Sequence, residues 1–448
     1  MPYNSNNITE VSFYKSVSKT RKFCNDNGIV YVYKDSTGHY VRTDDMRLRQ
    51  ILMKLIPKDK RASVKNSIIN NIAIKLRIDP DMQVDFDNFK DLNRNYLNVS
   101  NGVVDLDTGK LLEHDPKKYF TYSLGFNYTP EADFTKCEAF MKFARSSLNY
   151  DTDSCKTIRL LEMLGYIVSS VIGAEKCFIL VGASNSGKSV MLNLVEEVVG
   201  EDNTTNIPID RLGERFNLGE LSYSRVNINR EISGSELKDM DIFKSICSCE
   251  RVTGELKYVN SFSYKCRCKL LFAGNCLPEI KKIDSSNNEA IFNRLCILYF
   301  SKGLTDEEKD LTLEERLFEE RDVIFSAAIN ALMELRKRHY IFTEDAESTE
   351  YLDNYKSSNQ ALKHFIEECC IIDLDAKIHT RDFISAFKKY CSDNALAYCY
   401  SNESINAYVT SISGVCRKKF RLSGSVPLNG FIGLGLKSDD SCNDIEQD

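Results

Sequence analysis

The chain has 448 residues, of which 42% are hydrophobic and 28% charged, and its net charge is −6. Such a composition suits a globular protein with room for roughly two to four domains. It excludes a polycation that holds nucleic acid by bulk charge, so any such contact must come from local basic patches. No stretch approaches the ~18 apolar residues of a membrane span. The opening MPYNSNNITEVSFYKSVSK lacks the apolar run of a signal peptide. The expected location is therefore inside a cell, with the 16 cysteines as reduced thiols.

Residues 1–150 read as a mixed α+β module. MRLRQILMKLI and ASVKNSIINNIAIKL have helical periodicity, and the segment from YLNVSNGVV to LGFNY reads as short strands around the turn signals Asn101-Gly102 and Thr108-Gly109. A buried type of helix, TIRLLEMLGYIVSSVI, leads into residues 177–300, where apolar strands alternate with helices as in a three-layer α/β core. The core unit is assigned to residues 151–305. The charged helical stretch that follows, 306–348, reads as a lid or linker. Residues 349–440 are compact. ALKHFIEECC, TRDFISAFKKYCSDN and NESINAYVTSISGVCRKKFRL are predicted helical, and GSVPLNGFIGLGLK a glycine-rich hairpin, which suggests a winged-helix-like domain. The acidic residues 441–448 form a tail. Two Cys-x-Cys pairs, Cys247/Cys249 and Cys266/Cys268, are spaced more tightly than zinc ligands usually are and read as packing residues.

The most informative stretch is FILVGASNSGKSVMLNLV, Phe178 to Val195. Gly182-x-x-x-x-Gly187-Lys188-Ser189 is the P-loop pattern. Its glycines let the backbone of Gly182, Ala183, Ser184, Asn185, Ser186 and Gly187 turn N–H groups toward phosphate oxygens. The helix that begins at Lys188 aims its positive end at the same anion. Lys188 is expected to reach the β/γ-phosphates of ATP, and the Ser189 hydroxyl to ligate Mg²⁺. A second strand, SRVNINREIS, is expected to end at Glu231, the candidate for activating the attacking water and a second Mg²⁺ contact. Arg230 stands beside it, where another acidic residue is expected. A third strand, Lys269 to Ala273, leads to Asn275, whose amide suits the γ-phosphate and the lytic water. Arg294 precedes the last apolar strand and suits an arginine finger reaching a neighbouring subunit.

The order of P-loop, Glu-ended strand, Asn-ended strand and Arg resembles superfamily-3 helicases, in particular the group of phage, plasmid and large-DNA-virus primase–helicases that includes the poxvirus enzyme. NVSNGVVDLDTGKLLEHDPKKYF, LLEMLGYIV, RLGERFNLGELSYSRVNINREIS and KLLFAGNCLPEI are similar to that group's segments in the same order. The resemblance implies an α/β fold with an AAA+-like P-loop ATPase core, assembly as a homo-hexamer, 3′-to-5′ travel on DNA, and a separate primase or polymerase as partner. Arg230 departs from the pattern and leaves Mg²⁺ to Ser189, Glu231 and water. Asn293-Arg294 stands where two arginines are common. An upstream primase domain is not expected, and Asp105 to Asp107 are not read as a polymerase carboxylate pair.

In the helicases it resembles, the interval ICSCERVTGELKYVNSFSYKCRCK holds a β-hairpin that grips single-stranded DNA. Its tip is expected at Thr253-Gly254 or near Lys257-Tyr258, with Lys257 on phosphate, Tyr258 stacking on a base, and Arg251 and Lys265 behind them. Arg417, Lys418, Lys419 and Arg421 precede the wing and suit duplex backbone. The resulting expectation is an ATP-dependent replicative DNA helicase acting on single-stranded and forked DNA, with no membrane contact. Its rivals are an ATP-switched initiator that does not unwind and a P-loop scaffold that has lost turnover. Residues 1–90 carry no functional signal.

Overall fold

The computed structural model describes residues 8–20, 22–232, 237–257, 259–278, 280, 285–396, 398, 402–421 and 427–437. Among these no helix is long and apolar enough to cross a membrane.

The chain opens with α1 (Glu10–Lys19), the antiparallel sheet β1 (Phe23–Asp26), β2 (Ile29–Lys34) and β3 (His39–Arg42), and then α2 (Asp45–Leu55), α3 (Asn66–Ile78) and α4 (Phe86–Leu92). The β1–β2 turn is Asn27-Gly28, both at positive φ, the pair a two-residue hairpin favours. Phe13, Val17, Leu48, Leu52, Ile72 and Leu76 form a separate small core for this unit. A second antiparallel sheet follows, of β4 (Tyr96–Val99), β5 (Gly102–Asp105) and β6 (Leu111–Leu112), and then α5 (Glu138–Leu148) and α6 (Cys155–Val168). The side chains of this second sheet and of α5 belong to the core of the central unit rather than to that of the first.

The central sheet is built from β7 (Cys177–Gly182), α7 (Lys188–Val199), β8 (Thr204–Thr205), α8 (Arg215–Leu221), β9 (Val226–Asn229), α9 (Met240–Cys247), the hairpin β10 (Arg251–Leu256) and β11 (Val259–Lys265), β12 (Lys269–Gly274), α10 (Ser285–Phe292) and β13 (Leu295–Phe300). Five strands lie in the order β13-β7-β12-β9-β8, all parallel. A parallel sheet is covered on both faces, and so its strands are continuous apolar runs. Phe178 and Leu180 join a core with α6 and α7, whereas Cys177, Ile179 and Val181 join one with α8 and α9. Beyond β13 come α11 (Leu313–Glu319) and α12 (Arg321–Lys337), which packs along α6.

The 24-residue α13 (Ala346–Cys369) runs from the central unit into the C-terminal one. Tyr351 and Tyr355 touch the central core, and Leu362 and Phe365 the C-terminal one. There β14 (Cys370–His379), α14 (Thr380–Asp393), α15 (Asn402–Ser411), β15 (Cys416–Phe420) and β16 (Leu428–Leu436) form a three-stranded antiparallel sheet in the order β14-β16-β15 with its helices. Two local expectations are corrected. The helix predicted through CRKKF ends at Ser411. Gly414, at φ +86°, turns the chain, and CRKKF is a strand. The segment predicted as a complete hairpin supplies one long strand, β16, flanked by β15 and β14.

Cys247, Cys249, Cys266 and Cys268 are buried, and burial pushes the Cys266 thiol up to about 11. All four are free thiols packed in the interior. Among the described residues no group of three or more His, Cys, Asp or Glu is arranged to hold a metal ion.

A close helix crossing anchors the central unit. A Cβ at Gly165 of α6 would lie 2.1 Å from the Ala328 carbonyl oxygen of α12. Gly165→Ala is expected to cost about 1–3 kcal/mol by overpacking, read as a lower urea midpoint with an unchanged m-value.

Candidate active site

β7 ends where its neighbour requires a glycine. At Gly182 (φ +132°) a Cβ would sit 2.2 Å from the Phe300 carbonyl oxygen, which accepts a hydrogen bond from Ala183 N–H at 2.9 Å. The loop then turns through left-handed Asn185 (φ +59°) and Gly187 (φ +92°). It is braced from two sides. Asn185 C=O accepts from Leu304 N–H at 3.1 Å, and a Cβ at Gly187 would strike the Phe143 ring of α5 at 2.6 Å. Lys188 opens α7 and is buried. Its ammonium donates to the carbonyls of Gly182 (2.9 Å) and Ala183 and to Ser186 Oγ (3.2 Å), and burial lowers its pKa. No side chain caps the first turn of α7. Its N–H groups, with the adjacent Lys188, compose a donor set that fits a polyphosphate. Ser184, Asn185 and Ser189 are exposed beside it.

β12 lies between β7 and β9, with Gly274 opposite Val181 and Phe272 opposite Asn229. The carboxyl ends of the three strands therefore form one edge. Asn275 follows β12 there and is exposed. β9 stops at Asn229, two residues earlier than predicted. The Asn229 side chain donates to Asn206 Oδ1 (2.7 Å) and accepts from Glu231 N–H (3.3 Å), which draws the chain off the ladder. Glu231 is exposed on the same edge as Lys188. Arg230 points back onto α7, donating to Asn193 Oδ1 at 2.9 Å and pairing with Glu196, partners the sequence reading missed.

Arg294 lies elsewhere. β13 and β7 run parallel, with Leu295 opposite Cys177 and Phe300 opposite Gly182. Arg294 is thus at the opposite edge of the sheet, about 20 Å from the loop that joins β7 to α7 in its own chain, the rise of six strand residues. Its guanidinium donates to Ala290 C=O and Ser248 Oγ, both at 2.9 Å, and pairs with Glu175 at 3.4 Å.

In the hairpin, Arg251 pairs with Lys265 at the base and Leu256 with Val259 at the far end. Lys257 follows the last pair and is exposed at the tip. Tyr258 lies outside the described residues. Thr253 and Gly254 are mid-strand. Gly254 abuts Gly219 of α8, where a Cβ would come within 2.6 Å of the Gly219 nitrogen, so glycine marks a helix crossing and not a turn. Arg251 is exposed and donates to Ser263 C=O at 3.0 Å, while Lys265 is paired with Asp91 of α4 at 3.6 Å. Arg417, Lys418 and Lys419 are exposed on β15, and Arg421 is exposed just after it.

Residues 12–148 match the family described as D5 N terminal like, and residues 180–294 match a family of unknown function, DUF5906. The second match spans the phosphate loop, β9, the hairpin and β12. Among solved structures, the chain is similar to the apo C-terminal region of NrS-1 (residues 305–718), at 12% identity over 96% of this chain and 100% of that one, with a TM-score of 0.46. The A form of the NrS-1 C-terminal region is similar at 12% identity over 95% and 100% of the two chains, with a TM-score of 0.45.

Arg230 and Glu196 are more than a third exposed, so Arg230→Ala is expected to cost under about 1 kcal/mol. Arg230→Asp sets two carboxylates together and should cost more. The swap Arg230→Asp with Glu196→Arg should recover the difference in a double-mutant cycle read by urea unfolding.

Proposed function

We propose that the protein is a replicative DNA helicase of the superfamily-3 type that hydrolyses ATP between the subunits of a ring. The observation that carries this reading is the separation of Arg294 from the phosphate loop across the length of the sheet. Lys188, Ser189, Glu231 and Asn275 share one edge. An arginine on the other edge can complete such a site only from a neighbouring subunit, and a head-to-tail repetition of that contact forms a ring where the rotation between subunits closes. The match to the D5 N terminal like family supports a place in phage-type DNA replication.

The first turn of α7 and Lys188 would hold the triphosphate of ATP, with Ser189 and Glu231 as Mg²⁺ contacts. The bound nucleotide and metal supply the phosphoanhydride and neutralise its charge. Glu231 accepts a proton from the attacking water, Asn275 orients that water, and the neighbour's Arg294 stabilises charge on the transferred group. Lys257 at the hairpin tip takes a phosphate of single-stranded DNA in the pore. The helix–strand–helix–helix–strand–strand order of the C-terminal unit supports a winged-helix assignment, with Arg417, Lys418 and Lys419 facing duplex backbone. The reading without turnover draws on Arg230, a cation next to the proposed base.

ATP hydrolysis with and without single-stranded DNA separates these readings. Stimulation by DNA and a loss of about 100-fold or more in Glu231→Gln, with ATP binding retained, are expected. ATP binding without hydrolysis under either condition would leave the scaffold. A mixing experiment tests the ring. Lys188→Ala and Arg294→Ala should each be inactive, yet together regain part of the activity, because some interfaces then pair an intact loop with an intact arginine. No recovery in mixed assemblies would place the catalytic arginine elsewhere.

A further inference from the structure

The base of the β10–β11 hairpin carries three cations, two of which pair with carboxylates from a distant part of the chain, while Arg251 donates to Ser263 C=O within the hairpin. Arg267 follows β11 and extends its guanidinium to α4. Nη2 lies 3.0 Å from Asp91 Oδ2, Nε donates to Asp91 Oδ1 at 3.3 Å, and Nη1 lies 3.5 Å from Asp87 Oδ1. Nη2 also donates to the Asp87 carbonyl at 3.4 Å. Lys265 pairs with Asp91 at 3.6 Å. Arg251 stands opposite Lys265 in the ladder, and its charge reaches Asp87. Burial raises the Asp87 pKa, but Lys90, Arg267 and Arg251 outweigh that effect and leave it below the usual range.

The helix presenting these carboxylates is held independently of them. The Phe86 ring packs on Tyr31 at 4.6 Å, Phe89 packs on Tyr119 at 4.5 Å, and Asp85 caps the first turn. Asp87 and Asp91 are four residues apart and so share a face, an unfavourable arrangement for two like charges unless a cation joins them. A forked guanidinium is the group that bridges two anions, whether carboxylates or phosphates. The contact is also open to competition, because Asp87 and Asp91 are 56% and 49% exposed and such pairs are weak and salt-sensitive.

We infer that Asp87 and Asp91 stand in for nucleic-acid phosphates at the hairpin base, so that Arg251, Lys265 and Arg267 form a second phosphate-backbone site that single-stranded DNA occupies in competition with those two carboxylates. The site lies about 20 Å from Lys257, the length of the hairpin strand, and α4 restrains it until a strand has passed the tip. This inference rests on the proposed grip of Lys257 on single-stranded DNA.

The test is the affinity of the full chain for a fluorescein-labelled oligothymidylate long enough to span the hairpin, measured over a salt series. The double variant Asp87→Asn/Asp91→Asn is expected to bind about 3- to 10-fold tighter. Its slope of log K against log salt should steepen by about 1–2, at ~0.7 per phosphate engaged. Adding Arg251→Gln, Lys265→Gln and Arg267→Gln together should reverse both changes, and Arg267→Gln alone should make the wild-type slope shallower by up to about 0.7. Asp87→Glu/Asp91→Glu should behave as the wild type. Circular dichroism checks that each variant is folded. A gain that survives the removal of all three cations is a general charge effect and overturns the site. If Lys257→Ala weakens binding but the asparagine pair changes nothing, this inference alone falls. If no variant and no wild type binds the oligonucleotide, the inference falls together with the proposed pore contact.

Discussion

The parallel pairing of β7 between β12 and β13 is the constraint on which the candidate site depends. Every residue of Cys177–Gly182 is buried, and the strand has no solvent side on which to relax. Its end is fixed by the Phe300 carbonyl, which accepts from Ala183 and leaves no room for a side chain at Gly182. From that point the chain must turn over the sheet edge, and α7 must begin within a few residues. The Lys188 ammonium is drawn into the loop it follows because three oxygens converge there. The position of the lysine follows from strand geometry and owes little to the loop's own composition.

The same pairing sorts the chemistry by direction. In a parallel sheet all carboxyl ends share one edge, so a residue placed after a strand and one placed before a strand face opposite ways. Asn275 and Glu231 follow β12 and β9, while Arg294 precedes β13. That single difference separates the groups gathered at the candidate site from Arg294, which lies at the far edge of the sheet.

Much of this was legible in the sequence because it is local. Gly182, Gly187 and Lys188 sit within eight residues, and the apolar runs of β7, β12 and β13 are unbroken. The hairpin was expected from the resemblance, with its tip at Thr253-Gly254 or near Lys257-Tyr258, and the pairing of Leu256 with Val259 sets the tip at Lys257. What escaped the sequence depends on remote partners. The end of β9 is decided by the bond from Asn229 to Asn206, and the role of Gly254 by Gly219, 35 residues earlier in number. CRKKF has no apolar alternation, so its composition does not mark β15 as a strand. Its pairing with β16 supplies the order that its composition lacks. Arg230 was read as a gap in a pattern, and its partners Asn193 and Glu196 lie on α7.

The hairpin is held by two contacts of different kinds, and their magnitudes decide which can yield. At the α8 crossing, Gly219 and Gly254 let backbone meet backbone. A Cβ at Gly219 would lie 2.1 Å from the Glu255 carbonyl oxygen, so this contact is mainly steric and part of a buried core that includes Leu218 and Tyr264, with an exposed Arg215–Glu255 ion pair at 3.0 Å beside it. Against α4 the contact is ionic and half in water, worth on the order of 1 kcal/mol per pair at most. It weakens with ionic strength and gives way to a denser anion. A polyphosphate strand can compete with the second contact and not with the first. The hairpin can therefore exchange its partner at the base while its orientation on the core stays fixed by α8.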